Sequence, residues 1–567
     1  MKPILATLAA TLLLGMAAPA SAQQTSPASK AATAKPASPA SVDVRLLAIN
    51  DFHGNLLPPP GGIALPDPAD AAKRITVPAG GAEHMATLVK QLRAGHNNSV
   101  FVGAGDLIGA SPLLSAMFHD EPTIEALSMM GLEIAAVGNH EFDEGRDELL
   151  RMQFGGCHPR DGCQGPHPFA GATFQYLAAS TFDTATGQTL LPPLQIKTFD
   201  DIPVAFIGLT LKGTPNSVSP SGVLGLEFRD EAETVNALVP KLKAAGVEAI
   251  VVLIHEGGYP TGGINECPGI SGPIVEIVNK FDPAVDVVIS GHTHRAYSCT
   301  INGRLVTSGD RYGAMVTAVD LTLDRATRDI VSATANNHVV RSDTLPKDAA
   351  QTALIAAYDR LAGPIASRRS GAVTATLSRM PALTGESPRG DVVADAQLAA
   401  TQAEQDGGAV LAMTNPGGIR MDIPMKGDGS VSYGDVFAAQ PFRNQLVTMT
   451  LTGTQIRIAL EQQWSNPARP RILQVSKNFR YTWDGAKPDG SRVDAAKMTL
   501  NDGPLDPDKT YRVTVNGFLA DGGDGFVVFR SGADKRTGVY DVDALDAYFK
   551  AHSPVAPGPM DRIVRVN

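Results

Sequence analysis

Between Val44 and about Asp324, short runs of apolar residues alternate with longer stretches in which apolar positions recur every three or four residues. The short runs (Val44 to Ile49, Val100 to Val102, Ile134 to Val137, Val204 to Gly208, Ala249 to Ile254 and Val285 to Ile289) have the length and β-branched content of buried strands. Helical spacing covers Ala82 to Leu92 and Glu231 to Ala245, the second with Pro240 inside, where the missing N–H predicts a kink. Strands alternating with helices predict an α/β layered domain over 43–345. Helical spacing returns from Pro346 to Ala362, an interdomain helix within 346–369, and a second domain occupies 370–567.

The chain ahead of this pattern reads differently. Residues 1–22 carry Lys2, an apolar run from Ile4 to Ala18, and Ala20-Ser21-Ala22, which together form a cleavable signal peptide. The run is shorter than the roughly 18 apolar residues of a membrane span, so no stable membrane anchor is expected and the protein should be periplasmic or secreted. Residues 23–42 are rich in Ala, Ser, Pro and Thr and predict a flexible linker. Roughly 525 residues remain, too many for one hydrophobic core.

The residues just past the strand ends carry the chemistry. Asn50-Asp51-Phe52-His53, Gly105-Asp106, Gly138-Asn139-His140-Glu141-Phe142-Asp143, His255-Glu256 and Gly291-His292-Thr293-His294 each begin within three residues of the end of a strand candidate. In open α/β sheets that edge is where ligands bind. One such His or Asp is an ordinary loop residue, but the same residue types recur at one structural position, and five of the twelve histidines lie in these motifs. A nitrogen and oxygen donor set without thiolate suits Zn, Mn, Co or Mg. The candidates Asp51, His53, Asp106, Asn139, His255, His292 and His294 are too many for one four-coordinate ion. They suit two divalent metal ions sharing a carboxylate, about 3.5–4 Å apart. Such ions lower the pKa of water and offset phosphate charge, while His140 stabilises phosphoryl oxygens or the leaving alkoxide and Asp143 holds its ring. No G-x-S-x-G elbow with plausible partners supports a serine hydrolase.

Charge and cysteines narrow the setting. The formal charge is −10, one unit more negative once Lys2 is cleaved away, which argues against a nucleic-acid polymer as partner. The four cysteines allow three pairings; in an exported chain they predict disulfides. The short separation of Cys157 and Cys163 favours a local staple, leaving Cys267 with Cys299.

The second half has other motifs: Gly385-Glu386-Ser387-Pro388-Arg389-Gly390-Asp391, Asn415-Pro416-Gly417-Gly418-Ile419-Arg420, Gln440-Pro441-Phe442-Arg443-Asn444, and Asn516 to Phe526. Gly-rich turns ending in Arg suit an anion, and aromatics on separate loops can sandwich a base. Taken with the first-half motifs, the chain closely resembles the calcineurin-like metallophosphoesterases and, within them, the secreted bacterial 5′-nucleotidases. The resemblance implies a four-layered metallophosphoesterase β-sandwich flanked by helices, with a second, α+β nucleotide-binding domain. It implies one ion on Asp51, His53, Asp106 and His294, and another on Asp106, Asn139, His255 and His292, with Asp106 bridging. Phe442 and Phe518 would stack on the base, Asp524 would take the ribose, and Asn415 and Arg420 would lie near the phosphate. Arg389 stands close to where relatives carry a phosphate-contacting arginine. The implied activity is release of phosphate from nucleoside 5′-monophosphates by a monomer or weak dimer. The same centre would serve a 2′,3′-cyclic-nucleotide phosphodiesterase or UDP-sugar hydrolase, and a nucleotide-binding receptor with vestigial metals is the non-enzymatic alternative.

Overall fold

Strand Ser41–Ile49 is buried on both faces, with Val42, Val44, Leu46 and Ala48 on one side and Leu47 and Ile49 on the other. Such a strand belongs in the middle of a layered structure. In the computed structural model, which describes residues 40–567 except Pro68, Pro467 and Ala468, it pairs in parallel with Ser99–Ala104 and antiparallel with Met315–Asp324. The expected signal peptide and nearly all of the expected linker lie outside the described residues. The first strand begins at Ser41, two residues before the expected domain start.

The first sheet has six strands, in the order Ile330–Val339, Met315–Asp324, Ser41–Ile49, Ser99–Ala104, Ile134–Ala136 and Gln175–Leu177. A second six-stranded sheet runs Ala296–Ile301, Arg304–Gly309, Val287–Ser290, Ala249–His255, Ile202–Thr210 and Leu194–Phe199. The sheets stack through Leu46, Val100, Val102 and Ala136 of the first against Phe206, Val251, Leu253 and Ile289 of the second. Helices Ala82–Arg93, Glu121–Met129 and Arg146–Phe154 cover the outer face of the first sheet, and Glu231–Ala244 and Pro273–Lys280 that of the second. The result is the expected four-layered α/β domain. Parallel registers, Ile49 beside Gly103, Ala104 beside Ala136 and Ile254 beside Ser290, bring the carboxyl ends of these strands to a common edge.

The connecting helix spans Ala349–Ala366, starting later than the spacing suggested because Asp348 caps it by accepting from the N–H groups of Ala350 and Gln351. Ile355, Tyr358 and Ala362 pack into the core on the outer face of the first sheet. The second domain is α+β. Its five-stranded sheet runs Gln474–Val475, Leu411–Thr414, Thr510–Asn516, Gln445–Thr452 and Ala533–Tyr540, and a four-stranded sheet includes Phe479–Asp484 and Ile563–Val566. Leu113 of the first domain packs among Val373, Val392, Phe437 and Phe549 of the second, and Ser41–Asn567 form one unit.

Both cysteine pairs are bonded as expected, Cys157 to Cys163 and Cys267 to Cys299. Inside the smaller ring, His158 stacks on His119, with ring centroids 3.9 Å apart and planes 12° from parallel. His119 donates from Nδ1 to Glu144 at 2.7 Å and from Nε2 to Asp161 at 3.0 Å, which requires both nitrogens to carry protons. Burial opposes that charge, but the carboxylates, Glu144 foremost, outweigh it and raise the pKa of His119; burial and the His119 charge lower that of His158. A raised folded pKa gives stability that is full below the unfolded value of about 6.5 and is lost as pH rises through the folded one. His119→Gln should therefore lower Tm most near pH 5.5 and least near pH 9, read by thermal melts across that roughly 3.5-unit range. A Tm loss that is the same at every pH would show His119 to be mere packing.

Candidate metal centre and cleft

The ligand candidates sit where the backbone is strained. Asp51, His53, Asp106, His292 and His294 have φ of 50°, 46°, 50°, 68° and 54°, a left-handed region that costs a non-glycine residue about 1–3 kcal/mol. Glycines let the loops approach. A Cβ on Gly105 would lie 2.6 Å from His255 Nδ1, and one on Gly138 would lie 2.3 Å from Asp106 Oδ1. The loops are then tied by Glu141, a buried residue of the expected motif. Its Oε2 accepts from Asp106 N at 3.0 Å and Gly138 N at 2.6 Å, and its Oε1 from Leu107 N at 2.7 Å. Burial, with Asp106 adding to it, pushes the Glu141 carboxyl up to about 7.

The seven candidates converge as two overlapping groups. In one, His294 Nε2 lies 3.2 Å from Asp51 Oδ1 and from His53 Nε2. In the other, His255 Nε2 lies 2.9 Å from Asp106 Oδ2, and His292 Nδ1 lies 3.1 Å from Asn139 Oδ1. Asp106 Oδ2 is also 3.7 Å from His53 Nε2, so this carboxylate stands between the groups. The outward nitrogens of His53 and His255 each lie 2.8 Å from a backbone carbonyl, Gly109 O and Ala104 O. Donating there turns the Nε2 atoms inward, the usual outer support of a metal-binding histidine.

Electrostatics separates the side chains. Burial holds His53 and His294 well below the usual imidazole range, and burial with the His255 charge takes His292 down to about 3. Neutral imidazole is the form that binds metal. Burial opposes the charges of Asp106 and His255, yet each sustains the other: Asp106 is well below the carboxylate range and His255 is raised to about 10. Burial raises Asp51. His255 Nε2 is buried and, despite its closeness to Asp106, has no aligned hydrogen bond. Three neutral imidazoles, two carboxylates and an amide oxygen fit divalent metal ions, and at His255 a bound ion would take the place of the proton that Asp106 favours.

His140 stands beside this cluster. Its Nδ1 lies 2.8 Å from Asp143 Oδ2, and its backbone N–H donates to Asp106 Oδ1 at 2.8 Å. Burial lowers its pKa, but Asp143 and Asp106 outweigh this and the net shift is upward.

A cleft of about 420 Å³ has the metal-ligand cluster on one wall and the second domain on the other. Asn415, Arg420, Phe442, Phe518 and Asp524, all expected at the site, line it. Asn415 Nδ2 donates to Asp524 Oδ2 at 2.7 Å, and Arg471 Nε pairs with Asp524 Oδ1 at 3.0 Å. Phe442 lies face to face with His140, centroids 5.7 Å apart, and Arg420 reaches to 5.7 Å from the Phe442 ring. Arg389 does not join them. It is fully buried, its three guanidinium nitrogens lack hydrogen-bond partners, and burial takes its pKa down to about 9. The helix Pro388–Thr401 turns it inward, and Arg379, earlier on the same segment, is the cleft arginine. Sequence reasoning also missed Arg295, Arg311, Tyr312, Arg469 and Arg471, although Arg295 directly follows the Gly291 to His294 motif.

The calcineurin-like phosphoesterase family model matches residues 44–296, and that of the 5′-nucleotidase C-terminal domain matches residues 366–531. "Endonuclease YhcR" of Bacillus subtilis (strain 168) is 33% identical over 519 residues, 91% of this chain and 40% of that protein. "Cell wall protein Lmo0130" of Listeria monocytogenes serovar 1/2a is 32% identical over 520 residues, 86% of this chain and 64% of that protein. The chain thus spans less than two thirds of either relative. Among solved structures, the 5′-nucleotidase precursor from Thermus thermophilus superposes with a TM-score of 0.76 at 27% identity, covering 93% of this chain and all of that one. With both halves matched in order and the cluster on the edge of the first, the chain belongs to the calcineurin-like phosphoesterases that carry a 5′-nucleotidase C-terminal domain.

Proposed function

We propose that this is an exported phosphohydrolase, periplasmic or secreted, that releases phosphate from nucleoside 5′-monophosphates. The observation that carries the reading is one cleft with metal-type ligands on one wall and Asn415, Arg420, Phe442, Phe518 and Asp524 on the other. Among the described residues no helix is long and apolar enough to cross a membrane.

Asp51, His53, Asp106 and His294 would hold one divalent ion and Asp106, Asn139, His255 and His292 the other. When bound, such ions acidify water and offset phosphate charge. The chain's own residues do the rest. His140, braced by Asp143, would donate to a phosphoryl oxygen or to the departing alkoxide. Arg420, whose Nε and Nη2 are buried without partners, receives phosphate oxygens. Phe518 and Phe442 offer faces to the base, and Asp524, held by Asn415 and Arg471, accepts from ribose hydroxyls. A cleft of about 420 Å³ is of a size to take one nucleotide.

Phosphate release from a nucleotide panel, with and without chelator and with each metal restored, tests the reading; no metal-dependent release from any nucleotide would end it. His140→Ala should keep its metals by elemental analysis and lose about 10²–10⁴-fold in kcat. Asp106→Asn should lose metal as well as turnover. A fully active His140→Ala would remove that residue from the chemistry.

Because Phe442 stacks on His140, Phe518→Ala is the cleaner probe of base recognition. It should raise KM for a nucleoside monophosphate about 5- to 150-fold, the size of one lost stacking contact, and leave a small aryl phosphate almost unaffected. Equal losses on both substrates, with a lower Tm, would make Phe518 a packing residue.

A further inference from the structure

The cleft holds more positive charge than the proposed reaction has used. Arg295, Arg311, Arg379, Arg420, Arg469 and Arg471 line it, and among the described residues only Arg471 of these is ion-paired, with Asp524. Three of the unpaired arginines close on the metal ligands from two directions. From the first domain, Arg311 lies 5.1 Å above the ring of Tyr312. That ring meets His53 and His294 edge-on, at 5.7 and 5.6 Å, and Tyr312 N donates to Asp51 O at 2.7 Å. The chain next to Arg311 is thereby tied to the backbone of Asp51, a candidate metal ligand. From the second domain, Arg420 stands by Phe442, which is stacked on His140. Arg379 lines the same cleft; burial holds its pKa down, and the like charges of Arg311 and Arg420 lower it while Tyr312 and Asp422 oppose them.

Like charges from two domains meeting in a partly dry cleft repel one another, and an anion among them reverses the sign of the interaction. A planar guanidinium is also shaped to grip two oxygens of a phosphate. We propose that Arg311 is a substrate ligand, the first domain's share of a three-guanidinium clamp that, with Arg379 and Arg420, grips the oxygens of the phosphate being transferred. This rests on the reading of the cleft as a phosphate-ester site, but it needs neither a base nor a ribose. Arg311 belongs to none of the motifs read from the sequence, and it matters because it makes phosphate affinity depend on both domains at once.

The test uses the metal-loaded protein, an aryl phosphate as substrate and inorganic phosphate as competing inhibitor. Arg311→Ala should raise both the KM for the aryl phosphate and the Ki of phosphate by about tenfold or more, with metal content and Tm unchanged. Arg311→Lys should recover only part, since a point charge cannot make the paired contact. If wild type does not turn over the aryl phosphate, the rise in Tm on adding phosphate is read instead and should shrink in Arg311→Ala. An unchanged Ki and KM overturns the proposal. So does a fall in kcat with both constants unchanged, which would make Arg311 a support for Tyr312, or a loss seen only with nucleoside diphosphates, which would place it at a second phosphate. If nucleotides are not hydrolysed but the Ki shift is present, the clamp stands and the nucleotidase reading falls.

Discussion

Three backbone N–H groups from two loops meet on one buried carboxylate, that of Glu141, and the geometry of the cluster depends on that meeting. Asp106, Leu107 and Gly138 all donate to it, so the loop carrying Asp106 and the loop carrying Asn139 cannot drift apart. Without the carboxylate, three donors would be buried unpaired, at about 1–3 kcal/mol each. Burial and the nearby Asp106 work against the Glu141 charge, as its rise to about 7 shows, and the N–H groups are what hold it in place. Left-handed Asp106 is held directly by this frame, while Asp51 N donates to Gly105 O and His292 N to the Asp51 carboxylate, as strain persists only where the surroundings over-determine it.

The two domains divide the labour unevenly. The first carries all the metal-type ligands and the His140–Asp143 pair; the second carries the aromatic and Asp524 side of the cleft. Yet Phe442 lies on His140, and Arg420 helps to depress the pKa of both His53 and His294. The two walls of the cleft are therefore in contact through this ring pair and through the Arg420 charge.

Much of this was legible along the chain. Apolar runs located the inner strands, and the polar residues after them located the ligand cluster, because a parallel sheet puts successive strand ends on one edge. What escaped depends on long-range approach. Glu141 sits inside the Gly138 to Asp143 motif, but its clamp on Asp106 and Leu107 exists only because the strands Ser99–Ala104 and Ile134–Ala136 pair in register. Met315–Asp324 alternates plainly, yet nothing local says that it lies beside Ser41–Ile49. Arg389 misled because closeness to a motif says nothing about which side of a helix a residue faces, and Arg379 and Arg311 were passed over because loop arginines usually point into water.

The left-handed ligands also bear on the order of events when the chain folds. His292 N binds the carboxylate of Asp51 across a separation of 241 residues, and the contributing strands belong to two different sheets. Closing so long a loop is slow and happens only once both sheets exist. A metal ion meeting the unfolded chain would find scattered histidines and carboxylates with no common geometry, so it cannot template the fold in the way that zinc templates a small finger domain. A divalent ion held by these residues would meet a pocket that the paired sheets have already assembled, with its left-handed backbone positions in place.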